Sequence, residues 1–133
     1  MSLNKARVPE QQPDATLNES NPISGTKYEV LATTKNVRII GISVQCTWTV
    51  QPTPLEVHLT IDGQTVTFTF TDPATATDYF AKNASGKPET SQELNVTEPE
   101  QAFLREGRNV KVEAEITGGT VSNLSCRVKW AKI

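Results

Sequence analysis

The stretch of sequence that decides the fold is residues 37–50, which read VRIIGISVQCTWTV. Apolar and polar residues alternate through most of it, and an alternation of period 2 places successive side chains on opposite faces of a strand. The stretch therefore predicts a long strand with one face buried against a core. Gly41 within it predicts a β-bulge or the close approach of another backbone. The face predicted to be buried carries Ile40, Ile42, Val44, Cys46, Trp48 and Val50.

A β-hairpin is predicted directly after this strand. Residues 51–54 read QPTP and end the strand, because proline has no N–H to donate to a ladder. The next residues alternate again up to Asp62-Gly63, the dipeptide favoured in type I′ turns because both positions tolerate positive φ. The alternation then returns on the far side of the turn. The sequence thus predicts a hairpin over residues 55–71.

Further strands are predicted before and after the long strand and the hairpin. Residues 110–116 and 124–130 alternate and are joined by a turn at Gly118-Gly119, and residues 28–32 form a shorter strand. About seven or eight strands with turns at this spacing predict an all-β fold, an antiparallel β-sandwich with jelly-roll or Greek-key connections. Helical periodicity is confined to one or two turns, at residues 76–82 and 99–104.

The chain of 133 residues suits one domain. Residues 1–25 contain three prolines and show neither a period of 2 nor one of 3.6, which predicts a flexible N-terminal arm before a sandwich domain over residues 26–133. The arm is either a dispensable tail or a segment that orders on a neighbouring subunit. In the second case Lys5, Arg7 and Val8 are the candidate assembly residues.

A long loop is predicted between the two halves of the sandwich. Residues 72–101 are rich in proline, alanine, threonine, serine and asparagine, with one short strand expected at residues 93–96. Loops of this length in a compact domain are often functional. Its two aromatic residues either anchor the loop in the domain's own core or face a partner. The candidate partner-binding residues are Asp78, Tyr79, Phe80 and Lys82.

Charge and hydropathy exclude two classes of partner. The net charge is -2 and the signs are mixed, and Arg105, Arg108 and Lys111 alternate with glutamates as on a solvated edge, so no nucleic-acid partner is expected. No apolar run approaches the roughly 20 residues that cross a bilayer, so no membrane association is expected. The N-terminus lacks the apolar core of a signal peptide.

No catalytic site is predicted, because reactive side chains do not converge in the sequence. His58 falls on the polar face of a strand without an acid partner nearby in sequence, so it is expected to be a solvated surface residue. Glu113 and Glu115 share a strand face, but would form a calcium site only with loop oxygens such as those of Asp72 or Asp78. The sequence therefore predicts no metal site, no cofactor and no enzymatic activity.

The two cysteines, Cys46 and Cys126, both fall on faces predicted to be buried. The expectation is two free thiols in a reducing compartment. The alternative is a bridge between the sheets or between neighbouring strands. Neither cysteine has a second metal ligand near it in sequence.

Three segments resemble small β-sandwich proteins of tailed phages and prophages. They are residues 24–28 (SGTKY), 33–40 (TTKNVRII) and 55–63 (LEVHLTIDG). The resemblance implies a virion surface, decoration or tail-associated role, and a homo-oligomer, often a trimer, with other virion proteins as further partners. It also implies location in the virion, or in the bacterial cytoplasm before assembly. No functional residue is carried over from it.

Together, these observations predict a non-catalytic structural or accessory protein of a phage-like particle that acts through protein–protein assembly. The alternative is a carbohydrate-binding or adhesion module of the same fold. In that case Tyr79, Phe80 and Trp48 would contact a surface glycan, because such modules present aromatic side chains to sugars.

Overall fold

The computed structural model describes residues 10–81 and 105–133. The candidate arm residues Lys5, Arg7 and Val8, the loop residue Lys82 and the strand expected at residues 93–96 lie outside this part of the chain. The described residues form ten strands and no helix. Accordingly, no helix among them is long and apolar enough to cross a membrane.

The strands pair into two antiparallel sheets. In chain order they are β1 Glu10–Gln11, β2 Ala15–Ser20, β3 Tyr28–Thr33, β4 Val37–Val50, β5 Leu55–Ile61, β6 Gln64–Phe70, β7 Tyr79–Phe80, β8 Arg105–Gly107, β9 Val110–Ile116 and β10 Thr120–Lys132. The first sheet is built on the two long strands β10 and β4, with β1 and β2 beside β10 and β7 and β8 beside β4. The second sheet has the order β3-β9-β5-β6.

The two sheets pack face to face, so the predicted all-β sandwich is confirmed. The longer strands contribute alternate side chains to one shared core, as the period-2 pattern predicts. The first sheet supplies Val37, Ile39, Ile42, Val44, Cys46, Leu124, Cys126 and Val128, and the second supplies Leu55, Val57, Leu59, Phe68, Phe70, Val110, Val112, Ala114 and Ile116.

A β-bulge in β4 changes which residues of this strand reach the core. Gly41 pairs with Lys129 and Ile39 pairs with Trp130, so Ile40 is an extra residue between the two pairs. Ile39 is therefore buried in place of Ile40, which is half-buried. The prediction of a bulge near Gly41 is confirmed, whereas the placement of Ile40 on the buried face is wrong.

The end of β4 also departs from the predicted pattern. Two further register shifts flank Val121 of the partner strand. Trp48, opposite Val121, is half-buried and packs against the core, whereas Val50, beyond both shifts, is 57% exposed. The predicted buried face is therefore confirmed for Trp48 and wrong for Val50, because the irregular pairing ends the strict alternation.

Strands β1 and β2 place residues 10–20 in the first sheet. The flexible arm predicted over residues 1–25 therefore does not include residues 10–20. β2 pairs with β10 along six positions, from Ala15 opposite Val128 to Ser20 opposite Asn123. The Trp130 indole N–H donates to the Pro13 carbonyl at 3.0 Å. These contacts make residues 10–20 part of the sandwich domain.

Candidate functional site

The structure does not gather the predicted partner-binding residues on an exposed loop. β7 pairs with β4, and its residues Tyr79 and Phe80 are only 5% and 4% exposed. The Tyr79 ring packs 5.3 Å from that of Phe70, and its hydroxyl accepts the N–H of Ala74. Both aromatics are therefore anchors within the domain. The helix considered over residues 76–82 is wrong as well, since β7 occupies this position.

Asp78 of this predicted site and Trp48 of the glycan-binding alternative also make hydrogen bonds within the domain. Asp78 accepts a hydrogen bond of 2.7 Å from the side-chain amide of Gln45. Trp48 donates its indole N–H to the carbonyl of Pro73 at 3.0 Å. The aromatic side chains named for the glycan-binding alternative are thus not presented together on a surface.

The cysteines are two free buried thiols, as expected, rather than a disulfide. They lie on the neighbouring strands β4 and β10, where Cys46 pairs with Leu124 and Cys126 pairs with Val44. Desolvation by burial raises the pKa of Cys46 to about 11 and that of Cys126 to about 12. Because the thiolate is the reactive form, both side chains are chemically inert at neutral pH.

His58 is a buried histidine with an acid partner, so the prediction of a solvated residue is wrong. The residue is 8% exposed, although its side chain lies on the outer face of the second sheet. Its Nε2 lies 2.8 Å from Oε1 of Glu115 and 3.9 Å from Oε1 of Glu56. Its Nδ1 lies 2.9 Å from the Thr67 hydroxyl. The cause is that β5 is an inner strand, so side chains of β9 and β6 surround the imidazole.

Strand register explains why these side chains meet. Glu56 of β5 is directly opposite Glu115 of β9, and His58 is directly opposite Thr67 of β6. Glu56 in turn accepts a hydrogen bond of 3.2 Å from the hydroxyl of Thr69. The outer face thus brings together one imidazole and two carboxylates, and the hydroxyls of Thr67 and Thr69 form hydrogen bonds with His58 and Glu56.

This group is the one set of potential metal ligands that occurs within residues 10–81 and 105–133. One ligand atom from each of Glu56, His58 and Glu115 lies within 4.8 Å of the others. The calcium arrangement considered from the sequence is not formed, since Asp78 bonds to the first sheet. The i, i+2 spacing of Glu56 and His58 places these two residues on one strand face, but it gives no signal for Glu115.

A second feature of the surface is the outer edge of β6. Among the described strands, β6 has β5 as its one neighbour, and the pairing runs from Leu55–Phe70 to Ile61–Gln64 without a register shift. Its sequence, QTVTFTF, contains neither a charged residue nor a proline. These are the devices that normally protect an edge strand from pairing with another chain, together with bulges.

The other edges of the described sheets are better protected. β3 carries Glu29 and Lys27 precedes it, and its pairing with β9 shifts register between Glu29 and Leu31. On the first sheet, the edges consist of the short strands β1 and β2 on one side and β7 and β8 on the other. The edge of β6 is therefore the regular and uncharged one among them.

Comparison with protein-family models, with curated proteins and with solved structures gave no match.

Proposed function

We propose that this protein is a non-catalytic structural or accessory subunit that assembles with further copies of itself through the edge of β6. The observation that supports the proposal is this regular, uncharged strand edge. The setting we propose is the surface, decoration layer or tail of a phage-like particle. The resemblance of residues 24–28, 33–40 and 55–63 to β-sandwich proteins of tailed phages supports this setting.

The backbone of β6 offers hydrogen-bonding groups on the side away from β5, where none of the described strands lies. A two-residue turn at Asp62-Gly63 closes the hairpin on the pair Ile61–Gln64, with φ of 51° and 83° at the turn residues. The pair that flanks a two-residue turn is hydrogen-bonded, and hydrogen-bonded and non-bonded pairs then alternate along the ladder. Consequently Thr65, Thr67 and Thr69 direct their N–H and C=O groups away from β5.

A second copy of the chain is the occupant that fits this edge. An antiparallel β6–β6 pair is self-complementary, as a two-fold interface requires. It brings two uncharged edges together without like-charge repulsion, and it joins two four-stranded sheets into one continuous sheet. With Thr67 opposite its own symmetry mate, Thr65 would face Thr69 of the other copy, and such cross-strand threonine pairs stabilise sheets.

The test is the molar mass of the full chain in solution, measured by light scattering after size-exclusion chromatography. We expect the mass to be an even multiple of the chain mass of 14.6 kDa. Thr65→Pro removes one outward N–H, so we expect the assembly to dissociate, whereas Thr65→Ala retains the N–H and should assemble normally.

Thr65→Lys provides a second variant with an intact backbone. It places a positive charge on each of two facing edges and should also dissociate the assembly. Circular dichroism melts identify any variant that fails to fold. A monomeric wild-type chain would contradict the proposal, and so would an oligomer whose mass is unchanged in folded Thr65→Pro and Thr65→Lys.

A further inference from the structure

We propose that Glu56, His58 and Glu115 form a binding site for a divalent transition-metal ion, with Zn²⁺ as the fitting ion. The site lies on the outer face of the second sheet, and its ligand atoms come from the inner strands β5 and β9. It would hold these strands together from outside the core. The inference is independent of the proposed assembly, because none of the three ligands lies on β6.

The donor set and its spacing suit a tetrahedral ion. Zn²⁺ is bound by histidine nitrogen and carboxylate oxygen at about 2.0–2.2 Å, which separates the ligand atoms of a tetrahedral site by about 3.3–3.6 Å. The distances from His58 Nε2 to the Glu115 and Glu56 oxygens are 2.8 Å and 3.9 Å, on either side of this range. Small rotations of the two carboxylates would bring all three atoms to bonding distance and leave a fourth position for water.

The neighbouring hydroxyl groups orient the ligands as outer-shell residues do in metal sites. When His58 Nδ1–H donates to the Thr67 hydroxyl, the lone pair of Nε2 points towards Glu115. In this tautomer Nε2 is free to coordinate a cation together with Glu115, whereas in the other tautomer Nε2–H donates to Glu115 at 2.8 Å. Thr69 holds the other oxygen of Glu56, which fixes the direction of that carboxylate.

Electrostatics on this face also favour a cation. Glu56 is directly opposite Glu115, and on the next strand pair Glu29 is directly opposite Glu113. Lys111 lies 3.9 Å from Glu113, so its charge compensates that residue first. A divalent ion at His58 would neutralise the pair Glu56–Glu115, which Lys111 leaves uncompensated.

The same donor set distinguishes between cations. Imidazole nitrogen suits zinc, copper, nickel and iron, whereas Ca²⁺ takes six to eight oxygen ligands and Mg²⁺ requires six in an octahedron. A site of one nitrogen and two carboxylates on a flat sheet face lacks the further oxygens. We therefore expect Zn²⁺ and Co²⁺ to bind and Ca²⁺ and Mg²⁺ to bind far more weakly.

The experiment is calorimetric titration of Zn²⁺ into the full, tag-free chain after treatment with a chelator. We expect one equivalent of Zn²⁺ to bind. We expect Glu115→Gln to weaken binding at least about tenfold, because loss of an outer-shell partner already lowers metal affinity by that factor and loss of a ligand should lower it at least as much. Glu29→Gln is the matched control. It removes the same charge from an exposed position of the edge strand β3 on the same sheet and should change the affinity less than about twofold, because exposed charges are screened.

Two further measurements keep the test decisive. Saturating Zn²⁺ should raise the melting temperature of the wild type but not that of Glu115→Gln. Bound Co²⁺ should give visible absorption bands without sulfur-to-metal charge transfer, which would exclude the cysteines as ligands. Absence of Zn²⁺ binding to the wild type overturns the proposal. Equal weakening by Glu29→Gln and Glu115→Gln overturns it as well, because that result indicates diffuse attraction to an acidic face.

Discussion

Glu56 and Glu115 are directly opposite each other on β5 and β9, so two carboxylates share one cross-strand position of the second sheet. Like charges in this arrangement destabilise a sheet, by roughly 0.2–1 kcal/mol. We therefore expect Glu56→Gln to raise the free energy of unfolding of the metal-free protein by about 0.5 kcal/mol. The glutamine amide oxygen can still accept the hydrogen bond from Thr69. Urea denaturation in the presence of a chelator measures the change.

Glu19→Gln is the control for this charge effect. Glu19 lies on β2 of the first sheet, where its cross-strand partner is Leu124 rather than a carboxylate. Its substitution should leave the stability unchanged within about 0.5 kcal/mol. If Glu56→Gln destabilises the protein instead, the acidic pair is compensated in the metal-free state and the electrostatic argument for a cation fails.

Two glycines in turns allow the cost of a positive φ to be measured separately from the cost of a steric clash. Gly63 and Gly119 have φ of 83° and 73°, a region that alanine adopts at a cost of about 1–2 kcal/mol. A Cβ at Gly63 would meet nothing within 4 Å, whereas one at Gly119 would lie 2.6 Å from the carbonyl oxygen of Val50. We expect Gly63→Ala to cost about 1 kcal/mol and Gly119→Ala distinctly more. Equal losses in thermal unfolding would mean that the chain around Gly119 relaxes freely.

The fold could be predicted from the sequence where strands are regular and half-buried. The alternation in residues 37–50 and the Asp62-Gly63 turn each give a local signal that the sandwich preserves. β2 gives little signal, because Ala15 and Leu17 are its only apolar residues. Its place in the sheet depends on pairing with β10, more than a hundred residues later in the chain.

The candidate metal site could not be predicted for a similar reason. His58 and Glu115 are 57 residues apart, and they meet only because β9 lies beside β5. Alternation places each residue on a face but does not say which strands are neighbours. The same limit applies to Tyr79, whose position in the core follows from the pairing of β7 with β4.

The pairing of residues 10–20 with β10 predicts that their removal is costly. A chain that begins at Asn21 would lose β1 and β2, and with them the packing of Ala15 and Leu17 on the core and the hydrogen bond from Trp130 to Pro13. A fully buried leucine contributes about 1.5–3 kcal/mol, and Leu17 is partly buried, so together with the lost ladder of β2 we expect a loss of about 2 kcal/mol. Urea denaturation of the shortened chain measures it. An unchanged midpoint would show that these strands do not stabilise the domain.

The buried thiols predict that stability falls in alkaline solution. The pKa of a thiol is 9.0 in the ordinary case, and burial raises it to about 11 for Cys46 and about 12 for Cys126. Above pH 9 the unfolded chain therefore releases protons that the folded chain retains, which favours unfolding. The stability contributed by the protonated thiols is fully present below pH 9 and is lost as the pH rises towards 11 and 12, by roughly 1 kcal/mol per pH unit for each thiol.

Cys126→Ala separates this effect from the titration of lysines and tyrosines in the same range. The small cavity left by the substitution lowers stability equally at every pH, whereas the loss of the thiol removes its share of the pH dependence. We expect the slope of unfolding free energy against pH, measured by urea denaturation from pH 8 to about 10.5, to be shallower in the variant. Parallel slopes would show that the Cys126 thiol ionises as easily in the folded protein as in the unfolded chain, which is incompatible with its burial between the two sheets.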